Sequence, residues 1–191
     1  MNKECVQDPW QKVTTCMGLA ADEVISALQK EIRRGNEENA CLLAYDMLLT
    51  GPKLEDFLWK RLHVIAVEDI GMADPLAPIL ISVLNRTSYS MEGHDRKLFA
   101  IQAVRYLCSR KKDRSTDELL SWMRRATESG KVKPEIPEYA LDKHTRRGLE
   151  MGRGDKHFYE VASRVDPEWQ DRNRTWRERI LKMLDLEEKE N

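Results

Sequence analysis

Arg146, Arg147, Arg153 and Lys156 stand around three glycines, Gly148, Gly152 and Gly154, with Lys143 just upstream. Glycine lets a backbone approach a ligand closely and bare its amides, and arginine grips phosphate through paired N–H bonds. The chemistry on offer is a phosphate or nucleic-acid contact. The alternative is a tight corner whose arginines pair with the acidic half of the same chain. Lys111, Lys112 and Arg114 form a second basic turn open to the same two readings. Asp142, His144, His157 and Glu160 carry donor atoms suited to a divalent metal, which needs ligands converging to about 2.0–2.2 Å. On a helix Asp142 and His144 fall on different faces, whereas His157 and Glu160 share one. A polar hydrogen-bonding cluster is the preferred reading, and no metal or other cofactor is expected.

A further pair of carboxylates, Glu68 and Asp69, closes an amphipathic pattern; Gly71 breaks it, and Asp74-Pro75 starts an apolar run. Adjacent carboxylates could hold a cation or move protons. The structural reading is preferred: one accepts backbone amides at the next corner while the other faces solvent. Asp74 then serves as an N-cap and Pro75 as the first residue of the next helix. The chain has no GxxxxGK[ST] loop, so no ATP hydrolysis by it is expected. No Ser-His-Asp or Cys-His pattern is present either, and the residues read as those of a non-enzyme.

Periodicity supplies the elements that position these groups. Val24, Ile25, Leu28 and Ile32 recur at helical spacing after a capping Asp22 and stop at Gly35. Ala40, Leu43, Ala44, Met47 and Leu48 follow after Asn36 and stop at Thr50-Gly51-Pro52. So short a link predicts an antiparallel helical hairpin. A third helix carries Leu54, Phe57, Leu58, Leu62, Ile65 and Ala66. The apolar run from Leu76 to Leu84 predicts a helix buried on several sides, followed by a loop from Asn85 to Asp95. Further stripes are Phe99, Ala100, Ile101, Val104, Leu107 and Cys108, then Leu119, Trp122, Met123 and Ala126. A last helix is predicted from Trp169 to about Glu187, with Trp169 and Trp176 facing a partner. The fold class is all-α, a helical bundle: a loose lead-in over 1–21, a domain over 22–165, and a C-terminal helix within 166–191.

The totals agree. Of 191 residues, 41% are apolar and 34% charged, enough for one domain with a real core. No apolar stretch reaches the roughly 20 residues that cross a bilayer. Cys5, Cys16, Cys41 and Cys108 are scattered, which suits reduced thiols and a cytoplasmic setting. Charge is unevenly spread beneath a net −1. Residues 1–95 hold nine Lys/Arg against fifteen Asp/Glu, whereas residues 96–165 hold seventeen against ten. A basic middle can attract phosphate backbones or an acidic partner subunit, but the preferred reading is solvated helix faces carrying mixed charge.

Ser26-Ala27-Leu28-Gln29-Lys30-Glu31-Ile32-Arg33, Leu43-Ala44-Tyr45-Asp46-Met47-Leu48 and Arg61-Leu62 lead to Glu68-Asp69-Ile70-Gly71-Met72-Ala73-Asp74-Pro75, and Ile101-Gln102-Ala103-Val104-Arg105-Tyr106-Leu107 follows. In this order the strings resemble the C-terminal region of the AAA+ ATPase family that includes replication-associated recombination protein A and Werner-helicase-interacting protein. The likeness covers roughly residues 22–130. It implies a helical domain akin to the clamp-loader collar, assembly into a homotetramer, and service in DNA replication and repair. Without a P-loop, or room for an ATPase module before residue 22, the expectation is a free-standing collar domain.

Three functions compete. The first is a non-enzymatic oligomerisation module that presents a basic surface to DNA or to a replication protein. The second is an enzyme on a nucleotide or phosphorylated substrate, working through the segment from Asp142 to Glu160. The third is an adaptor for a full-length AAA+ paralogue.

Overall fold

The computed structural model describes residues 8–190, apart from the side chains of residues 188 and 190. Cys5 therefore lies outside the described residues. The chain is α-helical, and among the described residues the only strand-like pairing is an isolated bridge between Thr14 and Ala20. No helix among them is long and apolar enough to cross a membrane. The chain divides into two compact units, Met1–Glu128 and Ser129–Asn191, a boundary that differs from the 165/166 division read from sequence.

In the first unit residues 8–20 are not a loose lead-in. Asp8 caps a 3-10 turn over Pro9–Lys12 through Trp10 N, and the Trp10 ring packs on Phe57 at 5.0 Å. The amides of Cys16 and Met17 donate to Thr50 Oγ1 and Asp46 Oδ1, each at 2.9 Å. With this segment pinned, helix α1 (Ala21–Arg34) starts earlier than expected. The Thr14–Ala20 bridge places Ala20 at the cap, so Asp22 sits inside the first turn.

Gly35, at φ 77°, ends α1 with its N–H turned back onto the Glu31 and Ile32 carbonyls. That conformation suits glycine, which has no Cβ to clash. Helices α2 (Glu37–Thr50) and α3 (Pro52–Ile65) follow, split by Gly51 with Pro52 at the first position. Their core residues include Ala40, Ala44, Met47, Leu58 and Leu62, as periodicity predicts, together with Trp59. Phe57 and Leu43 are only partly buried against that core.

Helix α4 (Ala77–Ser88) buries one side, through Ala77 and Ile81, and leaves Leu76, Ile79 and Val83 exposed. An all-round apolar sequence predicted a surrounded helix; within this unit α4 has neighbours on one face only. The loop expected over 85–95 is shorter, because α4 runs on to Ser88 and α5 (Gly93–Ser109) starts at Gly93. Helix α5 sets Ala100, Ala103, Val104, Leu107 and Cys108 into the core. Burial pushes the Cys108 thiol up to about 12, which makes it an inert packing residue. Helix α6 (Ser115–Glu128) ends the unit with no buried residue.

The second unit is built differently. It holds α7 (Arg146–Glu150), α8 (Asp155–His157), a π-helical turn over Phe158–Ala162, and α9 (Thr175–Glu190). Leu141 is the sole buried apolar side chain among its described residues. Asn173 accepts from Thr175 N at 2.9 Å and starts α9 there. Trp169 consequently stands outside the helix and does not share a face with Trp176.

Candidate functional site

The acid pair lies where α3 loosens into a π-helical turn over Ala66–Ile70, closed by Gly71 at φ 53° and ψ −135°. Asp69 is fully buried. Its Oδ1 accepts from Arg33 Nε at 2.5 Å and from an Arg114 Nη at 2.8 Å. Oδ2 accepts from Gln29 Nε2 at 2.9 Å. Glu68 Oε1 accepts from the same two arginines at 3.2 and 2.9 Å, and Arg114 reaches on to Asp117 at 2.5 Å. Arg61 joins through Gln29 Oε1 at 3.3 Å.

The expectation of one carboxylate on backbone amides and one in water is corrected here. The widened turn swings both acids toward α1 and the 113–114 corner, where guanidinium groups meet them. Buried charges need such partners, since desolvation of a lone carboxylate costs several kcal/mol. The carboxylates hold the Arg114 proton more tightly and raise its pKa. Both oxygens of Asp69 are occupied by donors, so a cation would have to displace arginine.

Asp74 does less capping than expected. Its Oδ1 accepts from Leu76 N at 3.2 Å and its carbonyl from Ala77 N at 3.0 Å, which turns the chain before α4 rather than within it. Pro78, not Pro75, occupies the first helical turn. The other Asp74 oxygen takes the Tyr106 hydroxyl at 2.6 Å, fastening the corner to α5. Among the basic-turn residues, Arg114 is committed to the acid pair. Lys112 Nζ donates to the carbonyls of Leu107 and Cys108, at 3.0 and 3.1 Å, and to that of Arg110, closing the end of α5. Burial there lowers the Lys112 pKa. Lys111 stays exposed.

In the second unit the glycine-arginine segment folds onto itself. Asp142 Oδ1 accepts from His144 N at 2.9 Å and Oδ2 meets His144 Nδ1 at 3.2 Å. The two residues lie in a turn, not a helix, which brings together side chains that helical spacing would separate. Thr145 Oγ1 caps α7 by accepting from Gly148 N at 3.0 Å. Gly148 is packed so closely on this turn that a Cβ would lie 1.9 Å from the Asp142 carbonyl oxygen. The close approach that glycine permits is taken up by the chain's own backbone.

The cations are largely spoken for. Arg153 donates to the Glu138 and Leu141 carbonyls at 2.6 and 2.8 Å and to Glu138 Oε1 at 2.5 Å. Lys143 pairs with Asp155 and lies 5.1 Å over the Phe158 ring. Lys156 pairs with Asp185 at 2.9 Å. Arg146 meets Glu150 at 3.4 Å but is 88% exposed, and Arg147 is exposed beside it.

A cavity of about 650 Å³ opens beside Gly152 and Gly154, with Lys156 and His157 in its wall. Asp155, Glu160 and Glu187 line it too, an excess of carboxylate that repels phosphate. His157 and Glu160 therefore share a wall, while Asp142 and His144 bind one another. Among the described residues no group of three or more His, Cys, Asp or Glu could hold a metal.

The His144 contacts hold the Asp142 carboxyl below its ordinary range, the backbone amide being the larger cause. A depressed folded value adds stability above the unfolded pKa of about 3.9 and loses it as pH falls through the folded one. Amides of residues 142–150 are expected to lose hydrogen-exchange protection in the wild type as pH is lowered below about 4. After Asp142→Asn, protection should be lower at pH 7 and lose this acid dependence.

An all-α domain built on this arginine-locked acidic corner has the form of a C-terminal helical domain of an AAA+ ATPase. Residues 35–176 match the family model described as MgsA AAA+ ATPase C terminal, and the chain belongs to that family. It is also similar to Replication-associated recombination protein A of Bacillus subtilis (strain 168), with 34% identity over 146 residues. The match covers 74% of this chain but only 33% of that relative, so the chain spans about a third of its length.

Proposed function

We propose that this chain is a non-enzymatic assembly module for DNA replication or recombination, joining copies of itself into a homo-oligomer. A tetramer is the state that the family resemblance implies. The observation that carries the reading is the placement of large apolar side chains. Leu42, Tyr45 and Leu49 lie exposed at helical spacing on α2, and Leu76 at the N-cap of α4 with Ile79 and Val83 on that helix form a second exposed row. Aligned apolar rows of this kind mark interaction surfaces, whereas scattered ones do not. The relative's name, with its reference to replication and recombination, supports the setting.

For DNA, Arg146 and Arg147 are the best-placed cations of the 143–156 segment, because Arg153, Lys143 and Lys156 are engaged elsewhere. Sedimentation over micromolar concentrations is expected to show association; a strict monomer would overturn the proposal. On a DNA duplex, Arg146→Ala with Arg147→Ala should weaken binding and reduce the salt slope by up to about 2, roughly one per phosphate contact. An unchanged slope would remove DNA contact by this segment.

The enzyme reading through Asp142–Glu160 gains no support from this geometry. Asp142 is spent on its own turn, and the acidic cavity is unsuited to a phosphorylated substrate. An adaptor role would use the same apolar rows, and mixed-subunit sedimentation with an AAA+ paralogue distinguishes it from self-assembly.

A further inference from the structure

Helix α6 is mounted with its polar side inward. Arg114 and Asp117 tie it to the acid pair, and Asp117 and Ser121 are the half-buried positions of that side. Residues two apart on a helix point about 200° from one another. Leu119, between those two, therefore faces away from the domain. With it go Trp122 and Met123; the three are 53%, 55% and 41% exposed. An amphipathic helix normally turns such a stripe into its own core. Here the stripe is left outside.

The charges beside the stripe indicate what covers it. Glu118 and Arg125 are seven residues apart, so they lie on the same flank of the stripe with opposite signs. When two identical helices pair antiparallel about a two-fold axis, each flank meets the same flank of its partner, with its ends reversed. Glu118 of one copy then meets Arg125 of the other, and the contact occurs twice. That register places the two-fold between Ser121 and Trp122, which brings Leu119 of one copy beside Met123 of the other and the two Trp122 side chains together at the centre of the seam. A parallel two-fold pairing would instead set each flank against the opposite one, where Thr116, Leu120 and Thr127 offer Glu118 and Arg125 no charged partner.

We propose that α6 pairs antiparallel with α6 of a second copy of this chain, through the Leu119–Trp122–Met123 stripe and two Glu118–Arg125 ion pairs. The proposal rests on the oligomeric reading above and names one of its interfaces. One short helix per copy makes a modest contact, so this seam serves as one joint of a larger assembly.

Charge reversal tests it, because both residues are exposed and neither supports the fold. The probe is sedimentation velocity of the full chain across micromolar concentrations, with circular dichroism confirming equal helix content. Glu118→Arg alone and Arg125→Glu alone each create two like-charge contacts and are expected to weaken association at least tenfold. Combining them restores opposite charges and should bring association back to within about threefold of wild type. Leu119→Asp should weaken association in either background. Wild-type association that ignores all of these changes would overturn the α6 seam and leave the oligomeric reading standing. So would single-variant defects that add rather than cancel in the double variant. A wild type that stays monomeric would overturn both.

Discussion

Gly71→Ala is expected to destabilise the Met1–Glu128 unit by about 3–4 kcal/mol, a large part of the stability of an ordinary domain. Two costs add. At φ 53° and ψ −135° the backbone occupies a region that L-residues avoid, worth about 1–3 kcal/mol. A Cβ there would also lie 2.3 Å from the Asp113 carbonyl oxygen, a backbone atom that cannot swing aside. Relief requires the corner and the 113-turn to separate, which breaks the Asp113 N–H bond to the Asp69 carbonyl at 2.9 Å and draws Arg114 away from its carboxylates. Urea denaturation followed by circular dichroism reads the effect. A change below about 1 kcal/mol would show that the corner yields freely.

Gly148→Ala is expected to disrupt the other unit, Ser129–Asn191, at a cost of about 2–4 kcal/mol by forced overpacking. No backbone strain is involved; the added methyl meets the Asp142 oxygen at 1.9 Å, its carbonyl carbon at 2.5 Å and its nitrogen at 2.7 Å. Helix α7 must lift off, forfeiting the Thr145 cap and the two 3.0 Å bonds from Thr145 to the Asp142 carbonyl. Limited proteolysis separates the units: new cuts are expected within 129–191 while the core helices of the first unit stay protected. Gly154→Ala, where a Cβ meets nothing within 4 Å, should be silent by the same assay.

Most of the helical layout was legible because helices with one buried face repeat their apolar residues every three or four positions. The stripes of α1, α2, α3 and α5 fall on core residues for that reason. Misreadings arose where periodicity carries no information about orientation. The α4 run is apolar on all sides, and only packing shows that Leu76, Ile79 and Val83 face outward. The α6 stripe is correct as a stripe, but nothing in its spacing reveals that it points away from its own domain.

The acid pair was visible as a motif, yet its partners were not. Gln29 and Arg33 lie 36 to 40 positions from Asp69 along the chain, and Arg114 lies 45 away on the other side. Their separation by one helical turn on α1 was the available signal, since a Gln and an Arg at that spacing offer donors to a single acceptor. In the basic segment, composition suggested a ligand, whereas local geometry spends Arg153 and Gly148 on the chain's own carbonyls. Residue type alone does not distinguish an arginine awaiting phosphate from one closing a turn.

The sparse interior of Ser129–Asn191, where Leu141 is the sole buried apolar side chain among the described residues, has a thermodynamic consequence. The heat-capacity increment of unfolding follows the nonpolar area newly wetted, so this part should contribute less per residue than the helices before it. Its stability curve is correspondingly flat with temperature. Ionic strength takes over as the governing variable, because exposed charge pairs such as Lys156–Asp185 weaken as the Debye length shrinks.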